Sequence, residues 1–244
     1  MPLALTRVVA PAYAESEMVV ARRRKVVAGT SLAGAGLLGA SLATEPGSKK
    51  FYASTGAVAA VWTLGGVASG PLHLGWIRYA DQQLRRPLIT PLVTGIGAFG
   101  LFYGAALVAR RIPVLDDAIS RILVFADEGD DRLVYLTTLA NGVGEEVFFR
   151  GALYAALGPH HPVAASTIVY TVATTTTRNP ALVLAAGVMG SLFGLQRRAS
   201  GGIQAPTITH LTWSALMLRY LPPLFRRSPA TPDDPTPSTT PENR

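Results

Sequence analysis

The sequence contains little charge and no cysteine. Only 15% of its 244 residues are charged, whereas about one quarter are charged in an ordinary soluble domain. The absence of cysteine excludes disulfides, thiolate metal ligands and cysteine nucleophiles. The shortage of charge, together with 49% hydrophobic residues, indicates that lipid surrounds much of the chain.

Several hydrolase signatures are also missing. The chain has no HExxH zinc motif and no GxSxG serine motif. No aspartate lies inside a long apolar run, which excludes a paired-aspartate protease of the membrane. His160 and His161 are adjacent, but without a third ligand they are interpreted as a polar turn. We therefore expect no metal and no cofactor.

The net charge of +7 and the pI near 10.0 are explained by the position of the basic residues. Lysine and arginine lie mostly at the ends of apolar runs, where they set membrane topology and contact anionic lipid. No nucleic-acid-binding pattern is present, so nucleic acid is not expected as a partner.

Long apolar runs predict an all-α, polytopic transmembrane bundle of about seven spans, because about 19 such residues cross the hydrocarbon layer. The runs are 26–44, 54–77, 89–109, 133–157, 162–177, 180–196 and 203–221. The fifth and sixth are short and are separated by Arg178, Asn179 and Pro180, which predicts a tight turn and an antiparallel hairpin.

The remaining segments complete the predicted organisation. Residues 1–25 are predicted to be a cytoplasmic segment whose basic end, 22–25, precedes a retained signal anchor within the transmembrane domain 26–225. Residues 114–131 are predicted to form an amphipathic helix at the interface, and 226–244 a disordered tail. We expect a multi-pass protein of the cell membrane; its orientation stays open.

Three ionisable residues lie in the fourth apolar run. A charge at mid-bilayer costs on the order of 3 kcal/mol by insertion scales, so such residues usually mark a functional site. Glu146 and Arg150 are four residues apart and share a helix face, whereas Glu145 is turned about 100° away. This spacing predicts a neutralised pair and a second carboxylate that projects freely into a cavity. The alternative is an ionic lock that only holds helices together.

The last apolar run contributes His210 and Ser214, which are also four residues apart on one face. A neutral imidazole and a hydroxyl one turn away could donate hydrogen bonds to a developing oxyanion. The alternative is that His210 is only a hydrogen-bonded packing residue.

These motifs, in this order, resemble the CPBP family, the CAAX-protease and bacteriocin-processing group of intramembrane glutamic endopeptidases. Its first motif, EExxxR, is intact from Glu145 to Arg150. Its second, FxxxH, corresponds to Phe193 and the four residues that follow it, and its third, HxxxN, begins at His210. The resemblance covers about residues 133–221.

The resemblance implies that Glu145 activates a water, that Glu146 and Arg150 stabilise it, and that His210 helps to bind the oxyanion. Two positions depart from the family pattern. Arg197 stands where the family commonly has a second histidine, and a guanidinium cannot act as a base near neutral pH. Ser214 replaces an asparagine with a shorter and weaker donor.

The leading prediction is therefore an intramembrane endopeptidase that cleaves a hydrophobic or membrane-anchored peptide with a glutamate-activated water. The alternative is a non-catalytic relative that binds a membrane peptide, a lipid or a partner protein. Membrane lipids are expected partners in both cases. A transporter is disfavoured because the chain is short and has no paired repeats.

Overall fold

The computed structural model describes residues 16–78 and 83–225, and the predicted all-α class is confirmed. The helices are α1 Glu17–Ser41, α2 Lys49–Ser69, α3 Ile89–Ala109, α4 Pro113–Asp127, α5 Asp131–Glu145, α6 Tyr154–Leu157, α7 Pro162–Thr174, α8 Pro180–Ser200, α9 Gln204–Tyr220 and α10 Pro222–Phe225. A π-helix, Glu146–Leu153, joins α5 to α6, and a 3-10 turn, Thr175–Thr177, follows α7. Two short antiparallel strands, β1 Ile77–Arg78 and β2 Leu84–Arg85, precede α3.

Within residues 16–78 and 83–225, three helices are long and apolar enough to cross a membrane. They are α2, α3 and α8, with mean hydropathies of 1.3, 1.9 and 1.2 over their most apolar windows. The chain is therefore a membrane protein, as its composition predicts. The count of seven spans stays a prediction.

The second predicted span, 54–77, has the wrong boundaries. Its helix, α2, runs from Lys49 and ends at Ser69. Gly70 follows with a φ of 143°, in the region that favours glycine, and Pro71 cannot donate a backbone hydrogen bond. These two residues turn the chain out of the helix, although apolar residues continue beyond them.

The start of the first helix also differs from the prediction. α1 begins at Glu17, so the basic residues 22–25 lie within the helix and not before it. Arg23 is fully buried and donates hydrogen bonds to Ser69 Oγ (3.1 Å) and Pro71 O (3.2 Å). Residues 1–15 and the predicted tail, 226–244, lie outside the described residues.

Aromatic packing holds the π-helix in the centre of the bundle. Trp62, on α2, is buried against Phe148 and Phe149, with ring centroids 4.7 and 4.9 Å away. α2 also approaches α5 closely, because a Cβ on Gly144 would lie only 2.9 Å from Ala59 O. The two glutamates that follow Gly144 are therefore held at a close helix–helix contact.

The predicted turn between α7 and α8 is present, and it makes these helices antiparallel neighbours. Arg178 adopts a left-handed conformation with a φ of 55°. The Asn179 side chain then caps α8 by accepting hydrogen bonds from the backbone of Ala181 (3.0 Å) and Leu182 (3.2 Å). Proline at the first position of α8 fits this start, since its missing N–H has no partner there in any helix.

Candidate active site

The first motif lies on the π-helix, which the sequence analysis did not predict. The backbone N–H of Tyr154 bonds to Phe149 O, five residues earlier. The four-residue step of an α-helix would have led to Arg150 O. π-Helical segments are rare in proteins, and those that occur often lie at functional sites. All eight residues of this segment are buried, so its charged groups need partners inside the protein.

Glu146 has two such partners. Its Oε1 atom lies 3.3 Å from Nη1 of Arg150 and 2.9 Å from Nδ1 of His210. Glu146 and Arg150 are both 0% exposed, and His210 is 6% exposed. The predicted pair of Glu146 and Arg150 is present, and His210 from α9 joins it through the same carboxylate oxygen.

Arg150 extends this cluster to the α7–α8 hairpin. Its Nη2 atom donates to Gly190 O at 3.3 Å, and its guanidinium lies over the rings of Tyr170 (4.6 Å) and Phe193 (5.1 Å). Cation–π contacts of this kind stabilise a desolvated charge. Gly190 leaves room for this approach, because a Cβ atom there would make tight contacts at 3.3 Å from Arg150 and 3.2 Å from Tyr170.

Glu145 has a different environment from Glu146. The hydroxyl of Tyr170 donates a 2.6 Å hydrogen bond to its Oε2 atom, so this carboxylate is not free as predicted. Its other oxygen has no hydrogen-bond partner among residues 16–78 and 83–225, and the residue is partly exposed. Glu145 is also close enough to His210 and Arg150 to interact electrostatically with both.

His210 is fixed on both sides. Phe193 stacks on its ring with a centroid distance of 4.7 Å and an interplanar angle of 22°. Its Nε2 atom faces α5 and would lie 3.7 Å from a Cβ on Gly142. Ser214 follows one turn later on α9 and is buried. The second and third motifs therefore meet through Phe193 and His210.

Arg197 does not point to the glutamates. Its Nε atom donates to Arg150 O at 2.8 Å, and its guanidinium lies 4.9 Å from the centroid of the Tyr154 ring. The described residues show no ion pair between Arg197 and Glu145 or Glu146. The substituted position in the second motif thus binds the backbone of the π-helix.

Sequence reasoning missed Tyr170 and Gln196. Tyr170 belongs to no motif; its only signal is a phenol inside an apolar helix, where a buried hydroxyl needs a partner. Gln196 is buried, and its Nε2 atom donates to Thr209 Oγ1 at 2.7 Å. Thr209 in turn donates to Pro91 O at 2.9 Å, so this chain of hydrogen bonds positions α9, and with it His210, against α3 and α8.

A comparison with known protein families matches the segment that carries this cluster. Residues 132–216 match the model of the family described as type II CAAX prenyl endopeptidase Rce1-like. No curated protein and no solved structure matches the chain. The matched segment contains both glutamates, Arg150, Tyr170 and His210. Over this segment, which is about a third of the sequence, the chain is similar to the CAAX-protease (CPBP) family of intramembrane proteases.

Proposed function

We propose that the protein is an intramembrane endopeptidase in which Glu145 is the general base that activates water. The observation that carries this proposal is the division between the two neighbouring glutamates. Glu146 is fully buried and bound by Arg150 and His210, whereas Glu145 is partly exposed and bound through one oxygen by Tyr170. Oε2 of Glu146 also has no hydrogen-bond partner among the described residues, but it is buried. Glu145, which is partly exposed, is therefore the carboxylate that a water molecule can reach.

The proposed reaction is the hydrolysis of one peptide bond. Glu145 takes a proton from water, and the resulting hydroxide attacks the carbonyl carbon to form a tetrahedral intermediate. The C–N bond then breaks, and Glu145 returns the proton to the departing amine. The products are a peptide with a new carboxylate and a peptide with a new amino group, and the enzyme ends unchanged.

The cluster around Glu145 supplies positive charge for the developing oxyanion. His210 binds Glu146 through Nδ1, and in its protonated form its Nε2–H is a second donor. Arg150 contributes a fixed cation within the same buried cluster. Preorganised donors in a water-poor site are usually the largest single contribution to such a reaction. Tyr170 orients the base through its 2.6 Å hydrogen bond.

The substrate in this proposal is a hydrophobic or membrane-anchored peptide, and the protein acts in the cell membrane. The family match supports a peptide substrate and a membrane location. The three apolar helices are compatible with a substrate that is held in the bilayer.

A non-catalytic relative is the second candidate, and Arg197 is the observation that favours it. The family commonly has a histidine at this position that shares the water, whereas Arg197 donates to the Arg150 carbonyl. In that case the cluster of Glu146, Arg150 and His210 holds α9 and the π-helix together, and the bundle binds a peptide, a lipid or a protein.

One cleavage experiment separates the two candidates. The purified chain is reconstituted in liposomes with a mixed library of membrane peptides, and products are identified by mass spectrometry. We expect cleavage by the wild type, none by Glu145→Ala, and cleavage at the same or a higher rate by Arg197→His. If neither wild type nor Arg197→His cleaves, while both are folded and a related active protease cuts the same library, the non-catalytic relative is supported.

A further inference from the structure

A large cavity lies beside the proposed active site, at one end of the bundle. It has a volume of about 1400 Å³ and is bounded by the starts of α1 and α7, the ends of α6 and α8, and the segment after α2. Pockets for small ligands measure about 300–1000 Å³, so this one holds a larger molecule. Glu145, Glu146 and His210 are not part of its wall.

The polar part of the wall is basic. It contains three arginines and three histidines, and none of the described residues that line the cavity is acidic; the six are Arg24, Arg197, Arg198, His73, His160 and His161. Arg24 donates through Nε to Ala156 O (3.2 Å), as Arg197 does to Arg150 O. These bonds fix the two side chains, and among the described residues no acidic side chain pairs with their terminal nitrogens.

The remainder of the wall is largely apolar, and part of it is exposed on the protein surface. Ile168, on α7, and Leu195, on α8, both line the cavity, yet they are 61% and 42% exposed on the outer surface. The cavity is therefore open sideways between these helices as well as at its basic end. Thr167 also lines it, and its buried hydroxyl has no partner among the described residues. A ligand with an anionic head group and apolar chains would match both the basic part and the apolar part of the wall.

We propose that this cavity binds an anionic phospholipid, with the phosphate at Arg24 and Arg198 and the acyl chains along Ile168 and Leu195. A phosphate accepts hydrogen bonds from several guanidinium groups at once, whereas one carboxylate is satisfied by a single bidentate arginine. A zwitterionic lipid fits less well because its ammonium group would meet a wall that offers no acidic partner. This site is independent of the proposed proteolysis.

The test compares lipids on the purified full-length chain in detergent. Palmitoyl-oleoyl phosphatidylglycerol and the phosphatidylcholine with the same chains are titrated separately, and bound lipid is counted by native mass spectrometry. Inorganic phosphate is then added to the phosphatidylglycerol complex as a competitor. We expect phosphatidylglycerol to bind at least about tenfold more tightly than phosphatidylcholine, the ratio expected from one or more charge-assisted hydrogen bonds. Inorganic phosphate is expected to displace little of it, since it lacks the apolar chains.

Arg198→Gln is the decisive variant, and Arg219→Gln is its matched control. Both arginines are exposed and lie near the end of a helix, but Arg219 is in the last turn of α9, on the order of 20 Å from the cavity. Arg198→Gln should weaken phosphatidylglycerol binding about tenfold or more and Arg219→Gln should leave it unchanged; Arg24→Gln provides a second variant. Equal binding of both lipids, equal effects of the two substitutions, or full displacement by inorganic phosphate would each overturn the proposal.

Discussion

His210 Nδ1 lies 2.9 Å from Oε1 of Glu146, the same oxygen that Arg150 approaches at 3.3 Å. One carboxylate oxygen therefore joins two basic side chains that come from different helices. This contact ties α9 to the π-helix and leaves the neighbouring carboxylate, Glu145, with Tyr170 as its only hydrogen-bond partner among the described residues. The two glutamates are adjacent in sequence, yet their environments suit different roles.

Replacing the two glutamates separately should affect stability very unequally. Glu146→Gln removes the negative charge from beside buried Arg150, and removing one partner of a buried ion pair costs about 3–5 kcal/mol. Glu145→Gln keeps an amide oxygen that can still accept from Tyr170, so its free energy of unfolding should change little. Thermal unfolding in one detergent measures both variants. Equal destabilisation would show that the two carboxylates share one structural role.

Tyr170→Phe should reduce cleavage without unfolding the protein. The substitution removes only the hydroxyl that orients Glu145, and the phenyl ring can still pack under Arg150. Because a hydrogen bond to a charged group contributes about 1.5–3 kcal/mol, the cleavage rate should fall about ten- to a hundredfold. Tyr103→Phe, on α3, is the matched control and should keep the wild-type rate. A wild-type rate for Tyr170→Phe would remove Tyr170 from the proposed mechanism.

The glycines of α8 permit a paired test of the close approach at the site. A Cβ on Gly190 would lie 3.2–3.3 Å from Thr167, Tyr170 and Arg150, whereas one on Gly187 meets only Thr171 Oγ1, at 3.9 Å. Gly190→Ala should therefore lower the free energy of unfolding by about 1–3 kcal/mol. Gly187→Ala should be neutral or stabilising by up to about 1 kcal/mol, as in other helices. Thermal unfolding of the two variants tests both expectations. A Gly190→Ala variant more stable than the wild type would contradict this packing.

Two adjacent arginines in α1 should also contribute differently to the stability of the protein. Arg23 is buried and bonded to Ser69 Oγ and Pro71 O, whereas Arg22 is exposed. Arg23→Met should lower the free energy of unfolding by about 1–3 kcal/mol, because it leaves buried acceptors without their charged donor. Arg22→Met should change it by less than about 0.5 kcal/mol. Similar unfolding temperatures for the two variants would place Arg23 outside the folded core.

The features that the sequence predicted correctly depend on residues that are close together in the chain. The i, i+4 relation of Glu146 and Arg150 predicts their pairing, and the apolar runs predict the helical class, because both depend on residues close in the chain. The bond between Tyr170 and Glu145 joins residues 25 positions apart on different helices, and no spacing rule reports it. The π-helix depends on backbone geometry, and the burial of Arg23 depends on where α2 ends, so neither follows from hydropathy alone.

The central claim is tested most directly by the initial cleavage rate of Glu145→Gln relative to wild type, measured in the same liposomes on one peptide identified from the library. We expect this variant to be folded, with an unfolding temperature close to that of the wild type, and its cleavage to be undetectable. The glutamine preserves the shape and the hydrogen bond to Tyr170 but cannot accept a proton from water. A folded Glu145→Gln that cleaves at the wild-type rate would contradict the assignment of Glu145 as the base.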